Sequence, residues 1–178
     1  VVRRAARHRA EETSSPLLLV DGPPGIGCPV ISSLTGADVA VLVTEPTPSG
    51  LHDLQRVADL CRHFTIPIGV IVNKADLNPE TTEAVQAWCA AEKADFLGAL
   101  PYDPAVTEAM VRRQAVTEFS DNGLSAPIRI VWSKIIELMQ RTRSPRMAVT
   151  AFPVKQNHKR GVDDEHDCCN SVHRPRRL

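Results

Sequence analysis

The feature that most constrains the fold is the segment 17–30, which reads LLLVDGPPGIGCPV. Four apolar residues run directly into Asp21 and a turn rich in glycine and proline. In a parallel sheet, a buried strand of this kind delivers its last polar residue to the carboxyl edge, where phosphates and their Mg²⁺ bind. The segment therefore predicts a buried parallel strand with a carboxylate at its functional end.

Three further apolar runs follow the same plan, and each ends in a polar or proline-containing loop. Together with the first run they predict strands at 17–20, 38–44, 66–72 and 95–100. The stretches that follow have apolar residues at helical spacing or helix-start signals, and predict helices at 51–64, 79–92, 104–113 and 126–141. Alternation of strand and helix predicts an α/β fold, a parallel sheet covered by helices.

Composition narrows the function classes. The chain has 178 residues and 43% hydrophobic residues without a long apolar run, which is typical of a globular protein and predicts no membrane span. Its net charge is zero, and 144–178 carry seven Lys and Arg against four Asp and Glu. Nucleic-acid binding needs a concentrated basic stripe, so we expect no nucleic-acid partner.

The chain divides into two parts by pattern. Residues 1–143 carry the α/β pattern and predict one domain, with a basic stretch of helical composition at 1–12. Residues 144–178 have little apolar periodicity and predict a disordered tail. No apolar core of a signal peptide follows the basic start, so we expect a cytoplasmic, reducing location.

Five cysteines are present, and three of them lie in the α/β part. Cys28, Cys61 and Cys89 occur in apolar segments, where a free cysteine behaves as a small buried hydrophobic residue. Cys28 lies close to the Gly/Pro turn, so a thiol ligand or redox role is an alternative there. In the tail, His166, the Cys168–Cys169 pair and His173 lack the spacing of a zinc site, and we expect none.

The turn after the first strand holds the strongest candidate site. The Asp21 carboxylate can hold the water shell of a magnesium ion. Gly22 and Gly25 have no Cβ, so their backbone N–H groups can approach a terminal phosphate. The alternative is a tight turn that Asp21 merely caps.

Polar groups also follow the later strands. Asn73 and Asp76, in VNKAD, can hydrogen-bond a purine ring; the alternative is an Asx turn that ends the strand. Pro101, Tyr102 and Asp103 can border the base; equally, Pro101 can end the strand while Asp103 caps the next helix.

The loop at 45–50, EPTPSG, offers a carboxylate and hydroxyl groups to the same edge of the sheet. A helix start is the simpler interpretation, and the sequence favours Ser49 as the cap of the helix at 51–64.

Four segments, in the order DGPPGIGCPV, SLTGADVAVLVTEPTPSGLHDLQRV, VNKADLNPE and GALPYDPAV, carry a family resemblance. The chain resembles the MinD/ParA-like P-loop ATPases, and most closely the branch with an inserted ferredoxin-type iron–sulfur domain. The resemblance covers about 1–132 and is most specific in DGPPGIGCP and EPTPSGLHDL.

The resemblance implies ATP and Mg²⁺ as ligands and ATP hydrolysis as the activity of the intact family. It implies that Asp21 serves the magnesium site and acts in catalysis, that Gly25 belongs to the switch sensing the γ-phosphate, and that Asn73 faces the adenine. The loop 101–103 would border the base. A face-to-face homodimer and an iron–sulfur or redox partner protein are also implied.

Two parts of the family pattern do not occur in this sequence. One is the glycine-rich phosphate loop, G-x-x-x-x-G-K-[S/T], and the other is the cysteine-rich insertion that would carry a 4Fe-4S cluster. Both would lie upstream of Val1. The sequence therefore predicts the C-terminal portion of such an ATPase, inactive alone, with an apolar strand edge exposed beside 17–20. The alternative is a non-catalytic α/β module that docks on a partner through that unpaired edge.

Overall fold

The computed structural model describes residues 17–121 and 123–142, and the backbone of 147–153. Within these residues the strands are β1 (Leu17–Asp21), β2 (Val39–Thr44), β3 (Ile68–Asn73), β4 (Asp95–Leu100) and β5 (Met147–Pro153). They form one sheet in the order β1-β5-β2-β3-β4, and every neighbouring pair is parallel. The predicted parallel sheet is confirmed, and all four predicted strands are present.

The helices are α1 (Cys28–Leu34), α2 (Pro48–His63), α3 (Pro79–Ala91), α4 (Ala105–Val111), α5 (Val116–Phe119) and α6 (Ser125–Arg141). Each predicted helix within the described residues is present, and no end is displaced by more than three residues. The short 3-10 turn Ala75–Leu77 and α5 were not predicted, because segments of three and four residues are too short to show periodicity.

Helices cover the two faces of the sheet unequally. The first three helices pack on one face, where Leu34, Leu54 and Val85 are fully buried against β2 and β3. On the other face α6 packs against β2, β3 and β4 through buried Val131 and Leu138, among others. The sheet centre is consequently apolar on both sides, as a parallel sheet requires.

Strand β5 corrects one expectation and bears on a second. Residues 147–153 fall in the segment predicted to be disordered, but they form a strand between β1 and β2. One edge of β1 is therefore paired with β5, and among the described strands its other edge has no partner, so the expected exposed edge lies on that outer side. Backbone hydrogen bonding in a sheet is a long-range interaction, so a short run such as MAVTAFP gives little local indication of it. The predicted helical stretch at 1–12 and the tail at 154–178 lie outside the described residues.

Candidate functional site

The carboxyl edge of the sheet brings the predicted site residues to one side of the molecule. Asp21 is the last residue of β1, Asn73 is the last residue of β3, and Pro101 directly follows β4. Because all strands run in the same direction, these residues share one edge. Strands β1 and β3 are three steps apart, which corresponds to about 14 Å at the usual strand spacing of about 4.8 Å. An extended ligand with different chemistry at its two ends fits such a separation.

The turn after β1 is open to solvent. Asp21 is exposed, and within residues 17–121 and 123–142 its carboxylate makes no hydrogen bond or ion pair. Gly22 is buried, whereas Gly25 is exposed and has a φ of +94°, a backbone conformation that favours glycine. A Cβ at Gly25 would meet no atom within 4 Å. The carboxylate oxygens and the open turn suit a hydrated cation and a phosphate.

Asn73 is partly buried at the end of β3, and the next residue has an unusual backbone conformation. Lys74 has φ 54° and ψ 43°, in the left-handed region. Its Nζ lies 2.7 Å from Glu45 Oε1, in the loop after β2. The hydrogen bond and the charge of Glu45 raise the pKa of Lys74 above its usual 10.5. This ion pair ties the loop after β2 to the loop after β3.

A second contact ties the loop after β3 to the loop after β4. Asp76 Oδ1 accepts a hydrogen bond from the backbone N–H of Tyr102, with 2.6 Å between the heavy atoms. One oxygen of Asp76 is thus engaged by the backbone, which leaves the other for a ligand. Tyr102 is 53% exposed, so its ring is available at this edge.

Asp103 holds the segments that follow. Its Oδ1 accepts from the N–H of Ala105 at 2.9 Å, at the start of α4. Its Oδ2 accepts from the N–H of Leu124 at 3.2 Å, immediately before α6. Both oxygens are therefore used within the fold, and the contribution of Asp103 to a ligand site would be to position the 101–103 loop.

The loop between β2 and α2 has a different cap from the one expected. Thr47 is the N-cap of α2, and its Oγ1 accepts from the N–H of Gly50 at 3.0 Å. Pro48 occupies the first helical turn, where its missing N–H is not needed. The prediction of Ser49 as the cap is wrong, because the helix begins before Ser49 rather than after it.

The cysteines divide by exposure. Cys61 and Cys89 are buried, and burial raises the pKa of Cys61 to about 12 and that of Cys89 to about 11. Cys28, predicted to be buried, is exposed at the first residue of α1. The side chains that α1 buries are Val30 and Leu34. Within the described residues no group of three or more His, Cys, Asp or Glu could hold a metal, and the tail's His and Cys residues lie outside them.

An open groove of about 580 Å³ lies elsewhere, between the amino end of β4 and the carboxyl end of α6. Asp95 and Arg141 line it and form an ion pair, with 2.5 Å between Arg141 Nη2 and Asp95 Oδ1. The groove is at the opposite end of the strands from Asn73, so it does not belong to the carboxyl-edge site.

The chain is similar to known proteins in sequence and in fold. A cytosolic Fe–S cluster assembly factor, the Nubp1 homologue of Drosophila grimshawi, is 31% identical over 141 residues, covering 67% of this chain and 45% of that protein. The solved MinC:MinD cell division protein complex of Aquifex aeolicus matches with a TM-score of 0.62 at 22% identity, covering 77% of this chain and 60% of that one. The Pyrococcus furiosus cell division ATPase MinD matches with a TM-score of 0.54 at 23% identity, covering 65% and 49%. No family model matches the chain.

The chain has the fold of the solved MinD structures and is similar in sequence to the Nubp1 homologue. The solved MinD structures establish the fold, and the sequence relative adds the family-level likeness. This MinD-like chain spans 45% of the Nubp1 homologue and 60% of the MinD chain in the MinC:MinD complex, so the activities of complete proteins remain proposals for it.

In this MinD-like chain, some of the contacts at the carboxyl edge had no signal in the sequence. Glu45 and Lys74 are far apart in the chain, as are Asp76 and Tyr102, and no local pattern connects them. The N-K-x-D segment offered the one available clue, since it contains both Lys74 and Asp76. Within the described part of the chain, no helix is both long and apolar enough to cross a membrane.

Proposed function

We propose that the chain is the C-terminal portion of a MinD-like Mg-ATP-binding ATPase associated with iron–sulfur or electron-transfer chemistry. The observation that carries the proposal is the placement of Asp21 and Asn73 on one edge of a parallel sheet. A nucleoside triphosphate has its phosphates at one end and its base at the other. A cation-binding carboxylate and a base-binding amide, about 14 Å apart, match those two ends.

Each site residue has a role in this proposal. Asp21 holds the water shell of Mg²⁺, which neutralises charge on the phosphates when bound, and thereby acts in catalysis. Gly22 and Gly25 leave the backbone accessible to the terminal phosphate. Asn73 offers a donor and an acceptor to adenine, and Pro101 with Asp103 shapes the loop that borders the base.

The phosphate end of the site is incomplete in these residues. No G-x-x-x-x-G-K-[S/T] segment occurs in the 178 residues, and such a loop supplies oriented N–H groups and a lysine to the phosphates. Electrostatic stabilisation of this kind is the main contribution to phosphoryl transfer. The isolated chain is therefore proposed to be inactive, with the phosphate loop supplied by a segment outside it.

The family relationship extends the proposal to partners. The Nubp1 homologue is named as a cytosolic Fe–S cluster assembly factor. By analogy, the complete protein would work in the cytoplasm, carry its 4Fe-4S cluster in a ferredoxin-type domain outside these residues, and serve an iron–sulfur or redox partner. A homodimer is the active form proposed, and nothing in the composition favours nucleic acid.

The alternative function is a non-catalytic module that docks on a partner through a sheet edge. One observation favours it: Leu19 is 59% exposed on β1, which lies at one end of the sheet that the described strands form. An exposed strand with apolar side chains is a site for pairing with another chain.

One experiment distinguishes the ATPase from the docking module. The chain alone and the chain joined to the phosphate-loop half encoded upstream of it would be assayed for Mg²⁺-dependent ATP binding and turnover. The ATPase proposal expects binding and turnover only in the joined protein. Turnover by the isolated chain, or none by a folded joined protein, would contradict it, and an upstream region without a phosphate loop would favour the docking module.

A further inference from the structure

The strands do not lie in the sheet in the order in which they occur in the chain. Strands β1 and β2 are consecutive in the chain and joined by α1, but they are not paired. Strand β5, from the far end of the chain, lies between them with five residues in register on each side. Among the described strands β1 pairs only with β5. The backbone hydrogen bonds that join β1, and with it Asp21, to the rest of the sheet are therefore made through β5.

The β1 side of the sheet is less buried than the centre. Five of the six residues of β2 and five of the six of β3 are buried, whereas no side chain of β1 is. Leu17 is only partly buried where it packs against the apolar cluster under α6, and Leu19 is 59% exposed. Elements with few buried contacts open at lower free energy than the core does.

The sequence of β5 is also weak for a central strand. Strands covered on both faces are usually continuous in large apolar and β-branched residues, as in VAVLVT of β2. Strand β5 reads MAVTAFP, with two alanines and a terminal proline. Proline donates no ladder hydrogen bond and is rarely found inside a sheet.

From these three observations we infer that the gap between β1 and β2 is an acceptor site for a parallel strand, and that β5 is its exchangeable occupant. A competing occupant must be an apolar, β-branched strand entering in the same direction. If the proposed function holds, the half of the protein that carries the phosphate loop supplies this competing strand; the rest of the inference does not depend on that function. The strand that fills the gap determines where Asp21 lies relative to Asn73.

A disulfide lock tests the occupancy. Leu19 is paired with Val149, and neighbouring strands lie about 4.8 Å apart, within the range that a disulfide spans. Full-length chain with Leu19→Cys and Val149→Cys, and with Cys28, Cys168 and Cys169 changed to Ser, should form an intramolecular disulfide on oxidation. The matched control, Leu19→Cys with Ala148→Cys, is one residue out of register and should form it far more slowly. Equal rates would overturn the assignment of β5 to the gap.

A peptide probe tests exchange. The probe is a fluorescein-labelled synthetic peptide with the sequence of residues 145–155, followed by anisotropy with full-length chain. Thr150→Pro removes a backbone donor from β5 and should free the gap, whereas Thr150→Val keeps the backbone donor. We expect the Thr150→Pro chain to bind the peptide about tenfold or more tightly than wild type, which is the scale of one ladder hydrogen bond. Oxidised, locked chain should not bind it, and reduction should restore wild-type binding.

Three outcomes would overturn the inference. They are absence of binding to folded Thr150→Pro chain, equal binding to locked and unlocked chain, and binding to Thr150→Val as tight as to Thr150→Pro. Should Thr150→Pro fail to fold, hydrogen exchange on the wild-type chain decides: amides of β1 and β5 should exchange about 100-fold faster than those of β3. Equal protection would reject exchangeability. No nucleotide enters either experiment, so its result is independent of whether the ATPase proposal holds.

Discussion

Asp76, just beyond the end of β3, accepts a hydrogen bond from the backbone N–H of Tyr102, just beyond the end of β4, at 2.6 Å. Lys74 and Glu45 make the equivalent connection one strand earlier, at 2.7 Å. Two side-chain contacts thus join the loops after β2, β3 and β4 into one surface. The edge that carries Asn73 is consequently held by specific polar contacts in addition to the apolar core.

Replacing Asp76 should loosen the loop after β4. Asp76→Ala leaves the Tyr102 N–H without its acceptor, and we expect a loss of about 1 kcal/mol in the free energy of unfolding. Asp76→Asn keeps an oxygen acceptor and should lose less. Urea denaturation measures the stability, and hydrogen exchange at Tyr102 reports the local effect. Unchanged exchange at Tyr102 in Asp76→Ala would contradict the contact.

Gly50 should tolerate no side chain. A Cβ at Gly50 would meet the backbone oxygen of Glu45, and would lie 2.9 Å from Thr44 Oγ1. Because a backbone atom cannot rotate away, Gly50→Ala should destabilise the fold by about 1–3 kcal/mol. Gly27→Ala is the matched control, since its Cβ would meet only Pro29 Cδ at an ordinary 3.6 Å. Equal midpoints in urea for the two variants would refute the prediction.

The proposed nucleotide roles predict different kinetic effects in the joined protein. Asp21→Ala should lower kcat on the order of 100-fold, because the cation that Asp21 is proposed to hold would stabilise charge in the transition state. Asn73→Ala should raise KM about fivefold with little change in kcat, since a base contact is equal in ground and transition states. Glu83→Ala, an exposed change in α3, is the control. Undiminished turnover in Asp21→Ala would remove that residue from the site.

Thiol labelling should separate the cysteines. Cys28 is exposed, while burial raises the pKa of Cys61 to about 12 and that of Cys89 to about 11. Iodoacetamide at pH 8 should modify Cys28 in the folded chain at least about 100-fold faster than the two buried thiols. Peptide mass spectrometry assigns each rate, and denatured chain is the control in which all three should react alike.

Stability should fall as the pH rises above 9. The folded chain keeps Cys61 and Cys89 protonated, whereas the unfolded chain ionises them near their usual pKa of 9.0. The unfolded state therefore binds fewer protons, so the free energy of unfolding decreases, by about 1 kcal/mol per thiol between pH 8 and 10. Chain carrying Cys61→Ala and Cys89→Ala should show a shallower decline. Parallel pH profiles for the two proteins would exclude this cause.

Much of the fold could be read from local sequence. The strand predicted at 95–100 has those bounds in the structure, and α3 begins at Pro79, the predicted first residue of that helix. Apolar runs and helix-start residues are local signals, because they reflect the burial and capping of the segment that contains them. The resemblance to the MinD/ParA-like ATPases was likewise available from the sequence, and the solved MinD structures confirm the fold that it implied. The ligand roles of Asp21, Gly22, Gly25, Asn73, Pro101 and Asp103 stay predictions.

What the sequence alone determined is the four parallel strands β1 to β4 and the edge at which Asp21 and Asn73 lie, because strand direction follows from the alternation of strand and helix. Only the tertiary structure decided that β5 enters between β1 and β2, that Cys28 is exposed, and that Asp76 is engaged by the Tyr102 backbone. These features depend on partners distant in the chain. The periodicity of a segment does not specify which distant backbone or side chain it will contact. Such contacts are determined only when the elements pack together.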